Sequence, residues 1–187
     1  MSTPDRLRRE GFSVEALRRL ARDRLPKPIF DFIDGGGCPF AALAFAQFDN
    51  AGNVNVSRFG LANPGAGGFI DIAYNATELL FTGTFTTGGL EVEFRDGKLI
   101  ILQEGKVHKF VQAADHVTYP VRQNVAERGQ QAKIITERAV FEVRADGLLL
   151  TELAPGINLQ SQVLDLMNGL DVRVAADLRE MDASLFR

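Results

Sequence analysis

"FDFIDGGGCPFAALAFAQFDNAGNVNVSRFG", Phe30 to Gly60, sets three consecutive glycines between two apolar runs. Glycine adopts backbone conformations closed to other residues, so Gly35, Gly36 and Gly37 suit either a tight turn or a surface that a ligand can approach closely. Just upstream, "IFDFID" reads as a strand leading into the glycines. Downstream, "AALAFAQFD" is almost unbroken in apolar character, which predicts a strand buried on both faces of a parallel sheet. "NAGN" is a turn signal, and the alternation in "VNVS" predicts a further strand. A second cluster, Gly65, Gly67 and Gly68, opens "GAGGFIDIAYNATELLFTGTF". That stretch reads as a glycine-opened helix followed by a buried strand, "ELLFTGTF".

From Leu90 the pattern changes to apolar and polar alternation. "LEVEFRDGKLIILQEGKVHKF" turns at Asp96-Gly97, and "QAKIITERAVFEVRADGLLLTELAP" turns at Asp146-Gly147. Asp-Gly between alternating strands is a strong hairpin signal. The tail "NLQSQVLDLMNG" predicts a helix capped by Asn158 and closed by Gly169. At the other end, "SVEALRRLARDRLPKP" sets Val14, Leu17, Leu20 and Ala21 on one helical face and arginines on the other, with Pro26 and Pro28 as the stop. The expected fold class is α/β with a mixed, largely parallel sheet plus antiparallel hairpins. Residues 1–27 are expected to form an amphipathic helix and linker, and residues 28–187 a domain.

The chain has 187 residues, 45% hydrophobic and 24% charged, with a formal net charge of -3. A chain of this size buries roughly 70% of its unfolded surface. No basic field exists to recruit a nucleic-acid backbone. No apolar run approaches the roughly 18 residues of a membrane span. The single cysteine, Cys38, has no partner for an internal disulfide and excludes a cysteine-rich metal cluster. The first residues carry no apolar signal core, so the expected location is cytoplasmic, with no nucleic-acid or membrane partner and no metal.

Several phrases, in order, resemble the C-terminal part of the class I CoA-transferases, the acyl-CoA:acetate or 3-ketoacid CoA-transferase family. They are "FDFIDGGG", "AQFDNAGNVNVSRFG", "GAGGFIDIAYNA", "FTGTFTTGGLEVEF", "EGKVHKFV", "ITERAVFEV" and "ELAPGINL". The resemblance implies a three-layer α/β domain. It also implies CoA transfer from an acyl-CoA to a free, short-chain carboxylate, with coenzyme A as co-substrate and no permanently bound cofactor. In that chemistry a glutamate attacks the thioester, and an anhydride and then a glutamyl-CoA thioester follow. A thioester oxygen gaining negative charge needs backbone N–H donors with no side chain in the way. Gly35, Gly36, Gly37, Gly65, Gly67 and Gly68 are therefore the expected lining of the thioester and pantetheine, and no catalytic residue is assigned.

The resemblance fails at one point. The family's nucleophile lies in a Glu-x-Gly upstream of "FDFIDGGG", and "TPDRLRREGFSVEALRRLARDRLPKP" holds no such motif. The one Glu-x-Gly is Glu127-Arg128-Gly129, expected in a polar surface loop. His108 and His116 are expected at the surface, and Cys38 has no histidine nearby in sequence to activate it. Residues 1–37 also resemble the opening of the FMN-dependent α-hydroxy acid dehydrogenases, but no barrel of roughly 250 residues follows. The expectation is a CoA-transferase-family protein, inactive alone, that lacks its domain's leading strands. Such a protein forms a homo-oligomer or pairs with a CoA-transferase first domain. The alternative is a non-catalytic acyl-CoA-binding module that associates with a complete homologue.

Overall fold

Helix α1, Lys27–Phe32, runs directly into a π-helical turn, Ile33–Gly37, where a strand was expected. The computed structural model describes residues 27–167 and 169–187, so the amphipathic segment expected between Ser13 and Leu25 lies outside the described residues. Two features make "IFDFID" helical. Pro28 falls in the first turn, where its missing N–H costs nothing. Phe30 and Ile33 stand one helical turn apart, and Ile33 is buried. Gly36, at φ +79°, ends the helix in the left-handed region that favours glycine.

The principal sheet has six strands: β1 (Phe40–Ala44), β4 (Glu78–Thr82), β11 (Gln131–Ile135), β12 (Ala139–Arg144), β13 (Gly147–Leu153) and β14 (Val172–Glu180). They lie side by side in that order. β1 pairs parallel to β4, and β4 parallel to β11. The β11–β12 and β12–β13 pairings are antiparallel, and β13–β14 is parallel. The expected mixed, largely parallel α/β sheet is present. The second expected hairpin is β12–β13, but its two-residue turn is Ala145-Asp146, and Gly147 is already the first residue of β13, paired with Arg144.

One face of this sheet carries the core. Leu79, Phe81, Ile134, Phe141, Leu148 and Leu150 are each at most 1% exposed. Helix α2, Phe69–Asn75, lays Phe69 against Phe81 with ring centroids 6.1 Å apart. Beside it a small sheet packs Phe110 against Phe141 at 5.5 Å. That sheet orders β10 (Tyr119–Pro120), β3 (Asn53–Asn55), β2 (Gln47–Asp49) and β9 (Phe110–Val111). Helix α3, Val121–Arg128, covers β11 and β12.

The opposite face is largely open among the described residues, which corrects the reading of "AALAFAQFD". The stretch divides into β1 and β2, and β1 is an edge strand with alternating burial. Ala41 is buried, while Phe40, Ala42 and Ala44 are exposed. The first expected hairpin, β6 (Glu91–Arg95) with β7 (Lys98–Gln103), stands beside this open face. Its turn places Asp96 and Gly97 at φ +52° and +74°, the handedness that an Asp-Gly hairpin requires. The expected tail helix is short. Asn158 accepts a hydrogen bond from the Ser161 amide at 2.9 Å as cap, but helix α4 is only Leu159–Gln162, followed by a 3-10 turn at Leu164–Met167.

Candidate functional site

The two glycine clusters are held by one pair of helices. α2 packs beside the turn that carries Gly35–Gly37. Asn75, at the end of α2, donates to Asp34 Oδ1 at 3.1 Å. At the start of α2, Gly68 lies so close to the Phe30 ring that an added Cβ would sit 2.6 Å from it. The helices therefore run side by side in the same direction. Gly65, Gly67 and Gly68 stand at their entry and Gly35–Gly37 at their exit. The clusters are separated by the length of α2, roughly 10 Å at 1.5 Å per residue, so they flank a helix and do not converge on a single point.

All six glycines are accessible, Gly68 partly so. The Gly65 amide donates to Ser57 O at 3.2 Å. Among the described residues no acceptor meets the Gly67 or Gly68 amide, so these two remain able to bind an oxyanion. Gly67, at φ +55°, tips the peptide in a way a side chain would strain. Chemically, this arrangement offers backbone donors in solvent, with the Asp34 carboxylate engaged by Asn75.

Charged chemistry lies at the carboxyl ends of the parallel strands, where ligands of open α/β sheets characteristically bind. Arg138, just past β11, has no exposed surface. It donates to both Glu104 oxygens, at 2.7 and 2.9 Å, and through Nε to Glu137 Oε1 at 2.7 Å. Its guanidinium also donates to Gln162 O at 3.0 Å and lies 4.9 Å from the centre of the Phe85 ring. The second Glu137 oxygen accepts from the Phe85 amide at 2.8 Å, and the Thr86 hydroxyl donates to Glu104.

Burial opposes ionisation of Glu104. The hydrogen bonds from Arg138 and Thr86, with Arg138's charge, outweigh it and hold the carboxyl below its ordinary value. Burial likewise opposes the Arg138 charge, and the two glutamates more than restore it. Burial depresses Lys109, and attraction to Glu137 only partly offsets this. Lys109 Nζ donates to Phe45 O at 3.3 Å across Gly83, the residue after β4's last turn of chain. The cluster is a fixed, ionised brace. With its donors and acceptors already engaged, it orders the loops after β4 and before β8 (Val107–His108).

The other sequence candidates are scattered. Cys38 is half-buried, its thiol directed at Phe40 O at 3.2 Å. His116 is exposed, as expected, while His108 is half-buried with Nδ1 3.3 Å from Leu166 O. Glu127-Arg128-Gly129 ends α3 instead of lying in a loop, with Gly129 as its left-handed cap. Glu127 is exposed and accepts from Gln123 Nε2 at 3.1 Å. Among the described residues no group of histidine, cysteine and carboxylate side chains is arranged to hold a metal, and no helix is long and apolar enough to cross a membrane. The brace was not foreseen. Only the charged pair Glu137-Arg138 between two apolar strands hinted at it, and nothing local points to Glu104.

Acetate CoA-transferase YdiF of Escherichia coli strain K12 is 45% identical to this chain over 157 residues, covering 84% of the chain and 29% of that protein. The chain belongs to the CoA-transferase family. Caffeate CoA-transferase of Acetobacterium woodii is 43% identical over 163 residues, covering 84% of the chain and 30% of that protein. The crystal structure of the acyl-CoA transferase YdiF from E. coli O157:H7, a thioester complex with CoA, superposes with a TM-score of 0.80 at 44% identity. It covers 84% of the chain and 30% of that structure. No protein-family model matches the chain. The chain thus spans under a third of the length of the CoA-transferases it matches, with the α/β fold common to both.

Proposed function

We propose that this chain takes part in CoA transfer between an acyl-CoA and a carboxylic acid, as the CoA-binding portion of a larger active site. The observation that carries this reading is the agreement, at 44% identity and a TM-score of 0.80, with a transferase crystallised as a CoA thioester complex. Residues 28–187 act as a C-terminal CoA-transferase domain. Gly67 and Gly68 offer amides to the thioester oxygen, with Gly65 shaping their approach, while Gly35, Gly36 and Gly37 line the pantetheine side. Coenzyme A serves as a co-substrate and not as a resident cofactor, and a cytoplasmic location suits such a reaction.

The nucleophilic carboxylate comes from outside these residues. Their one Glu-x-Gly sits at an exposed helix end, with Glu127 bonded to Gln123 and Arg128 donating to Tyr74 O of α2 at 2.9 Å. The domain alone is therefore inactive. It works in a homo-oligomer or with a CoA-transferase first domain that contributes the carboxylate. The engagement of exposed Glu127 by Gln123 supports a second reading, a non-catalytic acyl-CoA-binding module that joins a complete homologue.

Intact-protein mass after incubation with acetyl-CoA and propionyl-CoA, with and without borohydride, tests both. The expected result is no covalent gain for the chain alone, with saturable acyl-CoA binding in a parallel titration that Gly67→Val weakens at least tenfold. A CoA-sized gain that borohydride converts to an alcohol would overturn the inactive-alone reading, and peptide mapping would identify the glutamate. Absence of any acyl-CoA binding would overturn the CoA-binding role itself.

A further inference from the structure

The open face of the principal sheet ends in a cavity that the glycine site does not use. Its volume is 560 Å³, within the roughly 300–1,000 Å³ of small-molecule pockets. Leu80, Ile135 and Val140 form its floor, Phe94 of the β6–β7 hairpin one wall, and Met181 and Phe186 the other. The two walls meet where Phe94 and Phe186 pack edge to face, 5.8 Å apart. Leu185 stands at the rim, 67% exposed. The cavity is thus an apolar slot closed by the last residues of the chain.

The polar groups on its lining are unequal. Glu152 accepts from Arg179 at 2.8 Å, and both oxygens of Glu137 are engaged, by Arg138 and by the Phe85 amide. Thr136 donates its hydroxyl proton to Ala139 O at 2.9 Å. Lys133 is different. Its cross-strand neighbour Glu142 is held by Arg144 at 2.9 Å, and among the described residues no carboxylate lies within ion-pair distance of the Lys133 ammonium. Among the described residues the slot therefore presents apolar walls, the neutralised carboxylates of Glu137 and Glu152, and the Lys133 ammonium without a carboxylate partner.

We propose that this cavity binds an amphipathic monocarboxylate, its hydrocarbon body between the sheet floor and the Phe94–Phe186 walls and its carboxylate on Lys133. Charge complementarity selects the head group. A second cation would favour a dianion, and an uncovered glutamate would favour an amine, and the lining supplies neither. Burying the tail contributes roughly 0.8 kcal/mol per methylene, so affinity rises with chain length until the slot is filled. This site is independent of the transferase reading, because none of its residues belongs to the glycine clusters.

Calorimetric titration of the full chain with octanoate and with octan-1-ol tests the proposal. The expected result is saturable one-to-one binding of octanoate, at least tenfold tighter than octanol. Lys133→Gln, an exposed substitution whose folding is checked by circular dichroism, should weaken octanoate at least tenfold and leave octanol unchanged. Leu185→Asp at the rim should weaken both. Equal affinities for the two ligands, unchanged octanoate binding by Lys133→Gln, or no saturable binding of octanoate would each overturn it.

Discussion

The two faces of the six-stranded sheet are built from the same strands and have opposite fates. On the inner face Phe81, Ile134 and Phe141 have no exposed surface, and the two phenylalanines meet the rings of Phe69, Phe85 and Phe110. On the outer face Phe40 keeps 49% of its surface, and Ala42 and Ala44 are exposed beside it. Parallel strands normally carry cover on both faces. Among the described residues, the cover on the outer side comes from the hairpin and residues 181–186. Cohesion of the domain is concentrated on one face, which leaves the other available for ligands or for other polypeptide.

That contrast can be broken most severely at the brace. Arg138→Met leaves Glu104 and Glu137 without their cation and should cost about 3–5 kcal/mol in urea unfolding. A loss below about 1 kcal/mol would mean that the loops hold without it. The same variant alters acid stability. Because the folded Glu104 carboxyl titrates below its ordinary 4.5, its contribution is complete above that value and is lost as pH falls through the folded one. The native chain should therefore lose stability more steeply than Arg138→Met as pH falls below 4.5.

Gly105→Ala comes next. Its Cβ would stand 2.5 Å from Thr87 O and 2.7 Å from Thr86 Oγ1, forcing the brace loop apart. A loss of about 1–3 kcal/mol is expected, read as a lowered Tm. Adjacent isoleucines sharpen the comparison of faces directly. Ile134→Val should cost about 1 kcal/mol, and Ile135→Val, half-buried on the outer side, less than half as much by the same denaturant titration. Smallest of all, Ala42→Ser should stay within about 0.5 kcal/mol of the native chain. A larger effect would show that the outer face is covered in solution.

What the sequence disclosed follows the range of each interaction. The hairpins marked by Asp96-Gly97 and Asp146-Gly147 were legible because turn chemistry is local, and the glycine-opened helix α2 was legible for the same reason. "IFDFID" misled because a short apolar run before glycines fits a strand, whereas Pro28 in the first turn and the Phe30–Ile33 spacing suit a helix. "AALAFAQFD" misled because apolar character does not reveal whether a neighbour exists to cover it. The bond between Arg138 and Glu104 joins distant segments, so neither residue marks the other. For the glycine clusters, accessibility could be anticipated from composition. Their separation by the length of α2 needed the pairing of Gly68 with Phe30 and of Asn75 with Asp34.

The order of the strands also bears on how the chain reaches this structure. β1 meets β4, and β4 meets β11, only after long intervening segments have been looped out. Closing those loops costs entropy before any contact rewards it, so topology of this kind slows folding. The hairpins β6–β7 and β12–β13 close over two-residue turns and should form early. During the interval the apolar strand β1 waits unpaired, and pulse-labelled hydrogen exchange should find its amides among the last to gain protection.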